Sequence, residues 1–365
     1  MNMLSPLGNT RVAIVIRRLP VLLITLFPLL ALAVPQVPEQ TGWSGFVGFG
    51  VGYTDVKSNT AAGNRLIDGG KDTITDINQS PESTETAFPL VSGEINYTLG
   101  NRNQIFFGSS LEDIVAFDAA TQFGWRKQTQ KAGIFQLGVL LSALAPAELW
   151  ADPYKTGTAR DKVDRQSTGV RFQWDRILGT PLEWTLSYRD IDIDTEESGQ
   201  SAPVPCDAAC QALLVRDGDY YETRLSWLAN LGGGHILRPL AGYRSMDAEG
   251  DAVSYAMPYV QLTYSYLGGK KFSFVTNALV GQRSYDKANP LYGIKQDGGY
   301  LMLDATLFYN LPAASNRWKL FAQATYGDID SDIDFHDNEI NMLSLGVLYR
   351  FGNQPLIRKP PPTAD

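Results

Sequence analysis

Few residues of this chain are typed and spaced for chemistry. Asp334-Phe335-His336 sets a carboxylate two positions from one of only two histidines, and an aspartate can orient an imidazole for general-base work. Ser331 is close in sequence, but a serine hydrolase needs its hydroxyl placed against the ring. An aspartyl-type outer-membrane protease would need a second acidic pair facing the first. A membrane-embedded hydrolase therefore stands as a remote reading, and no residue is assigned a catalytic role. His235 falls in a glycine turn, GGGHI, and is expected to be solvated. Cys206 and Cys210, the only cysteines, are expected to form a disulfide closing a small loop if the chain is exported. Three intervening residues do not make a redox motif, and no histidine stands near them to complete a metal site.

Three segments place a tyrosine two residues before an aspartate: YTDVK (53–57), YRDIDID (188–194) and YGDIDSDID (326–334). In an extended chain, Asp190, Asp192 and Asp194 share one face, as do Asp328, Asp330 and Asp332. Oxygen-rich rows suit hard cations such as calcium, which could bridge to lipopolysaccharide phosphates. The plainer reading, a solvated acidic loop base, is favoured. No other cofactor is expected.

A spacing of two points to strands, and GFVGFGVGY (45–53) shows why. Gly48, Gly50 and Gly52 alternate with Val47, Phe49, Val51 and Tyr53, a strand period. A phosphate loop would need a G-x-G-x-x-G order and a following helix, and neither is present. The same alternation recurs to the end of the chain, with apolar residues on one face and polar ones on the other. Strands are expected near 43–57, 86–99, 104–112, 117–128, 132–144, 164–177, 182–193, 218–230, 235–247, 252–267, 271–284, 299–310, 317–328 and 338–351. Short connections alternate with longer ones near 58–85, 145–163, 194–217, 285–298 and 329–337.

The alternation of short and long connections separates a membrane barrel from a soluble sandwich, and a second feature does the same. Charges sit deep within strands on the polar face, and the apolar face often ends in Tyr or Trp, as in an aromatic girdle around a polar lumen. The expected fold class is all-β: a transmembrane antiparallel β-barrel of the outer-membrane type with about fourteen strands, in a range of twelve to sixteen. The glycine face of the first strand would then look into the lumen, letting the wall bend or leaving room for an inner plug. The WADPY aromatics, Trp150 and Tyr154, would close over the barrel mouth rather than stack on sugars.

The ends fit export. Arg11, Arg17 and Arg18 precede an apolar run over 19–30, and Ala31-Leu32-Ala33 is a small-x-small cleavage pattern, so 1–33 reads as a signal peptide. Residues 34–41 would be a periplasmic segment, 42–351 the barrel, and 352–365 a proline-rich periplasmic tail. The last strand ends at Phe351, a terminal aromatic of the kind that barrel assembly machinery reads. Net charge is −8, which excludes nucleic acid as a partner; lipid and lipopolysaccharide are the expected ones. The mean hydropathy of −0.15 excludes a helical membrane protein but not a barrel.

Lumen-facing candidates are Glu94, Arg126, Arg171, Asp175, Glu222, Arg224, Arg238, Arg244, Asp304 and Lys319. They mix signs with a basic lean, where a strongly selective pore shows one dominant sign. The leading expectation is a porin-like passive channel for small polar solutes in the outer membrane of a Gram-negative bacterium. The alternative is a non-conducting barrel whose loops bind lipopolysaccharide, calcium or an external partner.

Several stretches, in this order and spacing, resemble the outer-membrane family catalogued as domain of unknown function 2860: GFVGFGVGY, SLEDI (110–114), LWADPYKTGTAR (149–160), SYRDID (187–192), NPLYG (289–293) and the closing SLGVLYRF. The resemblance spans about 42–351. It implies an outer-membrane barrel of gammaproteobacteria with no established activity, and it assigns no functional residues.

Overall fold

A computed structural model describes residues 36–109, 121–142, 147–311 and 317–352. The leader at 1–33, the SLEDI stretch and the tail beyond Gly352 lie outside the described residues. Fourteen strands form the wall: β1 (Gly42–Ser58), β2 (Ser83–Gly100), β3 (Asn103–Gly108), β4 (Thr121–Gln128), β5 (Ile134–Leu141), β6 (Lys162–Asp175), β7 (Leu182–Ile193), β8 (Gly218–Trp227), β9 (His235–Ala248), β10 (Tyr255–Tyr266), β11 (Phe272–Tyr285), β12 (Gly298–Asn310), β13 (Trp318–Ser331) and β14 (Asn338–Gly352). Each pairs antiparallel with the next. β1 then pairs with β14 from Ser44↔Gly352 to Ser58↔Asn338, so the sheet closes. Closure leaves no unpaired edge, which a hydrocarbon environment demands.

The alternation decides which way each side chain points. Phe49, Val51, Val91, Leu343 and Leu345 are exposed on the outer face, while Glu94, Asn96, Arg171, Glu222 and Asp304 are buried on the inner one. Strand ends differ from the expected segments by a few residues; β8, for one, stops at Trp227, and a short piece, Ala229–Gly232, resumes the pairing with β9. At the other end, Ala147–Trp150 adds a rung between β6 and the piece Ala61–Asn64, within what the sequence reads as loop.

The opening glycines have a specific use. A Cβ on Gly52 would fall 2.3 Å from the Phe88 ring, and one on Gly242 would fall 2.2 Å from the Tyr259 ring. Phe88 and Tyr259 are buried aromatics on the inner face, and each ring lies flat over a glycine of the adjoining strand. The room left by Gly52 is taken by the wall's own aromatic rather than by a plug.

The two rims differ. One carries short turns, and here the chain ahead of β1 tucks in: buried Val37 donates its N–H to Gln128 Oε1 at 2.9 Å, and Glu39 pairs with Arg102. His235, on this rim, is not merely solvated. Its ring meets Tyr266 at 4.7 Å between centroids, and its Nδ1 lies 2.7 Å from the Tyr264 hydroxyl. The other rim carries the long connections.

Candidate functional site

The long connections fold into one lid. Ile74 and Ile77 (after β1), Tyr154 (after β5), Leu214 (after β7), Ala252 (after β9), and Ile333 and Phe335 (after β13) form a single buried cluster, with Leu291 and Tyr292 (after β11) packed against it. Six of the seven connections on this rim contribute; the seventh, after β3, lies largely outside the described residues. Tyr154 stacks on Phe335 at 5.4 Å.

Polar ties hold the lid in place. Asp152 accepts from the backbone N–H groups of Tyr154, Gly199 and Ser201, joining two connections. Arg160 donates to the carbonyls of Asn59, Pro153 and Lys71, and its guanidinium lies 4.4 Å over the fully buried Trp150 ring. Arg216 donates to Glu196 and to the carbonyls of Trp150 and Ala151. The Cys206–Cys210 disulfide closes its small loop beside the cluster, as the spacing suggests. Trp150 and Tyr154 thus both belong to the closure of this mouth.

His336 lies under the lid, where the Tyr154 hydroxyl (3.2 Å) and Asn289 Nδ2 (3.4 Å) approach its Nε2. Burial lowers its pKa to about 3, so the ring is neutral at ordinary pH. Burial also pushes the Tyr154 and Tyr292 hydroxyls above their usual range. Asp334 points to solvent and makes no described bond to the imidazole. The short 3-10 turn at Asp334–His336 leaves Asp334 exposed and Phe335 buried, and no Asp334–His336 hydrogen bond is among those described.

The acidic rows are likewise spread out. Asp190 and Asp192 lie on the outer face of β7 and Asp194 just beyond it. Asp328 and Asp330 lie on β13 and Asp332 just beyond it. Carboxylates at spacing two stand roughly 6.6–6.8 Å apart along a strand, a row rather than a cage. Among the described residues no three His, Cys, Asp or Glu side chains gather as a metal site.

The ten lumen candidates all lie on the inner face. Glu94 accepts from Arg126 (2.7 and 2.9 Å), and Glu222 accepts from Arg244 (2.6 Å) and the Tyr259 hydroxyl (2.7 Å). Arg238 pairs with Glu183. Arg171 donates to Ser187 at 3.0 Å, and Asp175 accepts from Gln173 at 2.9 Å. Asp304 accepts from Gln323 and Thr325 (2.8 and 2.9 Å), Arg224 is buried in the wall, and Lys319 lies 5.7 Å over the Phe308 ring.

The sequence reading puts Arg189 on the lumen face but misses the group around it, nearer the lid. Arg189, Tyr220, Met246, Tyr255 and Tyr285 are direct cross-strand partners across five strands, β7 to β11. Arg283 lies 4.6 Å over the Tyr255 ring and donates to the Tyr285 hydroxyl at 3.3 Å; Tyr300 of β12 flanks it at 5.8 Å. Arg165 of β6 is within electrostatic reach of Arg189, Tyr220 and Tyr255. Strand parity alone would have found the rest. They escape a search for charges at strand centres because they sit within a few residues of strand ends.

A closed antiparallel wall with an apolar exterior, a polar interior and unequal rims defines an outer-membrane-type β-barrel. The chain belongs to the family described as Protein of unknown function (DUF2860), whose model matches residues 42–350. No curated protein matches the sequence. Among solved structures, it is similar to the anion-selective porin from Comamonas acidovorans (9% identity, 86% of this chain and 99% of that one, TM-score 0.39). It is similar also to the outer-membrane expressed OmpT of Vibrio cholerae (9%, 86% and 100%, 0.40) and to the outer membrane channel DcaP of Acinetobacter baumannii (10%, 85% and 98%, 0.39). The class rests on the chain's own strand pairing.

Proposed function

We propose that this protein is a porin-like channel for small polar solutes in the outer membrane of a Gram-negative bacterium, with the loop lid restricting entry. One observation carries the reading: three interior ion pairs among the described residues run along the wall. Arg126–Glu94 links β4 to β2, Arg238–Glu183 links β9 to β7, and Arg244–Glu222 joins adjacent strands. None of these pairs crosses the barrel axis, as pairs in a filled interior would. The acids beneath are nearly dry, while the arginines over them keep 13–18% of their side-chain surface exposed, which fits a wall layer wetted from the axis. In this reading, residues 1–33 are removed at export, and the strand ending at Phe351 is what the assembly machinery engages.

The test is single-channel conductance of the refolded mature protein in a planar bilayer. Discrete, reproducible steps are expected. A silent bilayer, with insertion shown independently, would replace the channel by a closed barrel whose packed lid is itself the binding surface.

A further inference from the structure

We propose that the chamber directly beneath the lid binds a small organic oxyanion, a carboxylate or phosphate carried on a ring. This names a solute class for the channel reading and rests on it only for the anion's route in; binding itself does not require conduction.

Arg165, Arg244 and Arg283 face the interior from β6, β9 and β11, and among the described residues neither Arg165 nor Arg283 is paired with an acid. Glu222 is engaged by Arg244 and Tyr259. Asp297, at the rim, accepts the Tyr285 backbone N–H at 2.6 Å. Among the described residues the Arg165 side chain makes no hydrogen bond or ion pair. Arg283 has Tyr285 as its hydrogen-bond partner, and its Nε is buried with none. A guanidinium withdrawn from water without a counter-charge is costly, and an oxyanion is the ligand its planar fork matches, two N–H groups to two oxygens.

The surroundings select the body of the ligand. Tyr220, Tyr255, Tyr285 and Tyr300 offer ring faces and hydroxyl donors around the arginines. A flat ring can stack there while its anionic group meets Arg165 or Arg283. The chamber lies one step below the lid: Tyr255 follows Ser254, whose Oγ bonds to the Ala248 backbone across the 249–254 connection.

The experiment is calorimetric titration of the folded, full-length mature protein in detergent with benzoate, phenyl phosphate, benzyl alcohol and benzylammonium. Benzoate and phenyl phosphate are expected to bind saturably, the neutral and cationic analogues not. Arg165→Gln and Arg283→Gln should each weaken binding about tenfold or more, the worth of a hydrogen bond to a charged group, and the double variant should abolish it. Removing an unneutralised charge leaves the wall intact, which unchanged heat-modifiable migration on a gel will verify. Absence of saturable anion binding, equal binding of the alcohol, or undiminished binding in the folded double variant would overturn the site. Anion binding with a silent bilayer sinks the channel alone, and conductance without anion binding sinks the site alone.

Discussion

At the scale of single residues, the lid depends on groups whose charge state or hydrogen bonding cannot change freely. His336 is held neutral, with its pKa lowered from 6.5 to about 3 by burial. An unfolded or opened segment would bind a proton near pH 6.5 where the closed lid does not. The lid's stability is therefore fully present above about pH 6.5 and is lost as pH falls from there toward about 3. Cleavage within 194–217 by an acid-tolerant protease should accelerate over that window, and His336→Gln should flatten the profile; the same profile in both proteins would refute the assignment. Asp152 makes a different demand, because its carboxylate satisfies three backbone donors. Asp152→Ala strands them at a cost of about 1–3 kcal/mol. Exchange of the Gly199 and Ser201 amides should quicken by about ten- to hundredfold, while amides at the centre of β1 stay protected. Asp334→Ala, which removes an exposed carboxylate with no described bond to the cluster, should change neither.

At the scale of elements, the wall was readable and the lid was not. Parity along GFVGFGVGY sends Val47, Phe49 and Val51 outward and Gly48, Gly50 and Gly52 inward, and it holds around all fourteen strands because the pleat repeats every two residues. Strand boundaries were likewise marked by where alternation breaks, as at Leu182 and Ile193. What parity cannot say is which ring fills the space over a glycine, since the Phe88–Gly52 contact depends on the register Gly52↔Phe88. Nor does any period announce that Ile74, Leu214 and Phe335 will meet, because they lie in separate connections and only closure of the barrel brings those connections together. The packing over Gly52 makes a prediction that belongs to this scale. Gly52→Val drives a branched side chain into the Phe88 ring and should destabilise the folded barrel by about 1–3 kcal/mol, read as a lower urea midpoint in detergent. Phe88→Ala in the same chain should restore part of that loss. If the double variant is no better than Gly52→Val alone, strain elsewhere in β1 is responsible.

For the whole molecule, the two rims and the wall between them assign separate tasks to separate parts of the chain. The wall is continuous and closes on itself, so it persists if the lid loosens; the lid has its own small core, drawn from connections that the wall does not need for pairing. A barrel built this way can keep its fold while its mouth changes state. Phe335 is the residue through which that separation is best tested, since it is fully buried at the centre of the cluster and stacks on Tyr154. Truncation to alanine removes an aromatic from a core of few members and should cost about 3–5 kcal/mol there, more than so small a cluster is expected to spare. Phe335→Ala should therefore migrate on gels as a folded, heat-modifiable barrel yet show more frequent or longer open steps in a planar bilayer than the parent protein. Equal step frequency in both proteins would mean that the loop cluster covers the mouth without controlling passage, and the restriction would then have to lie lower, in the arginine layer along the wall.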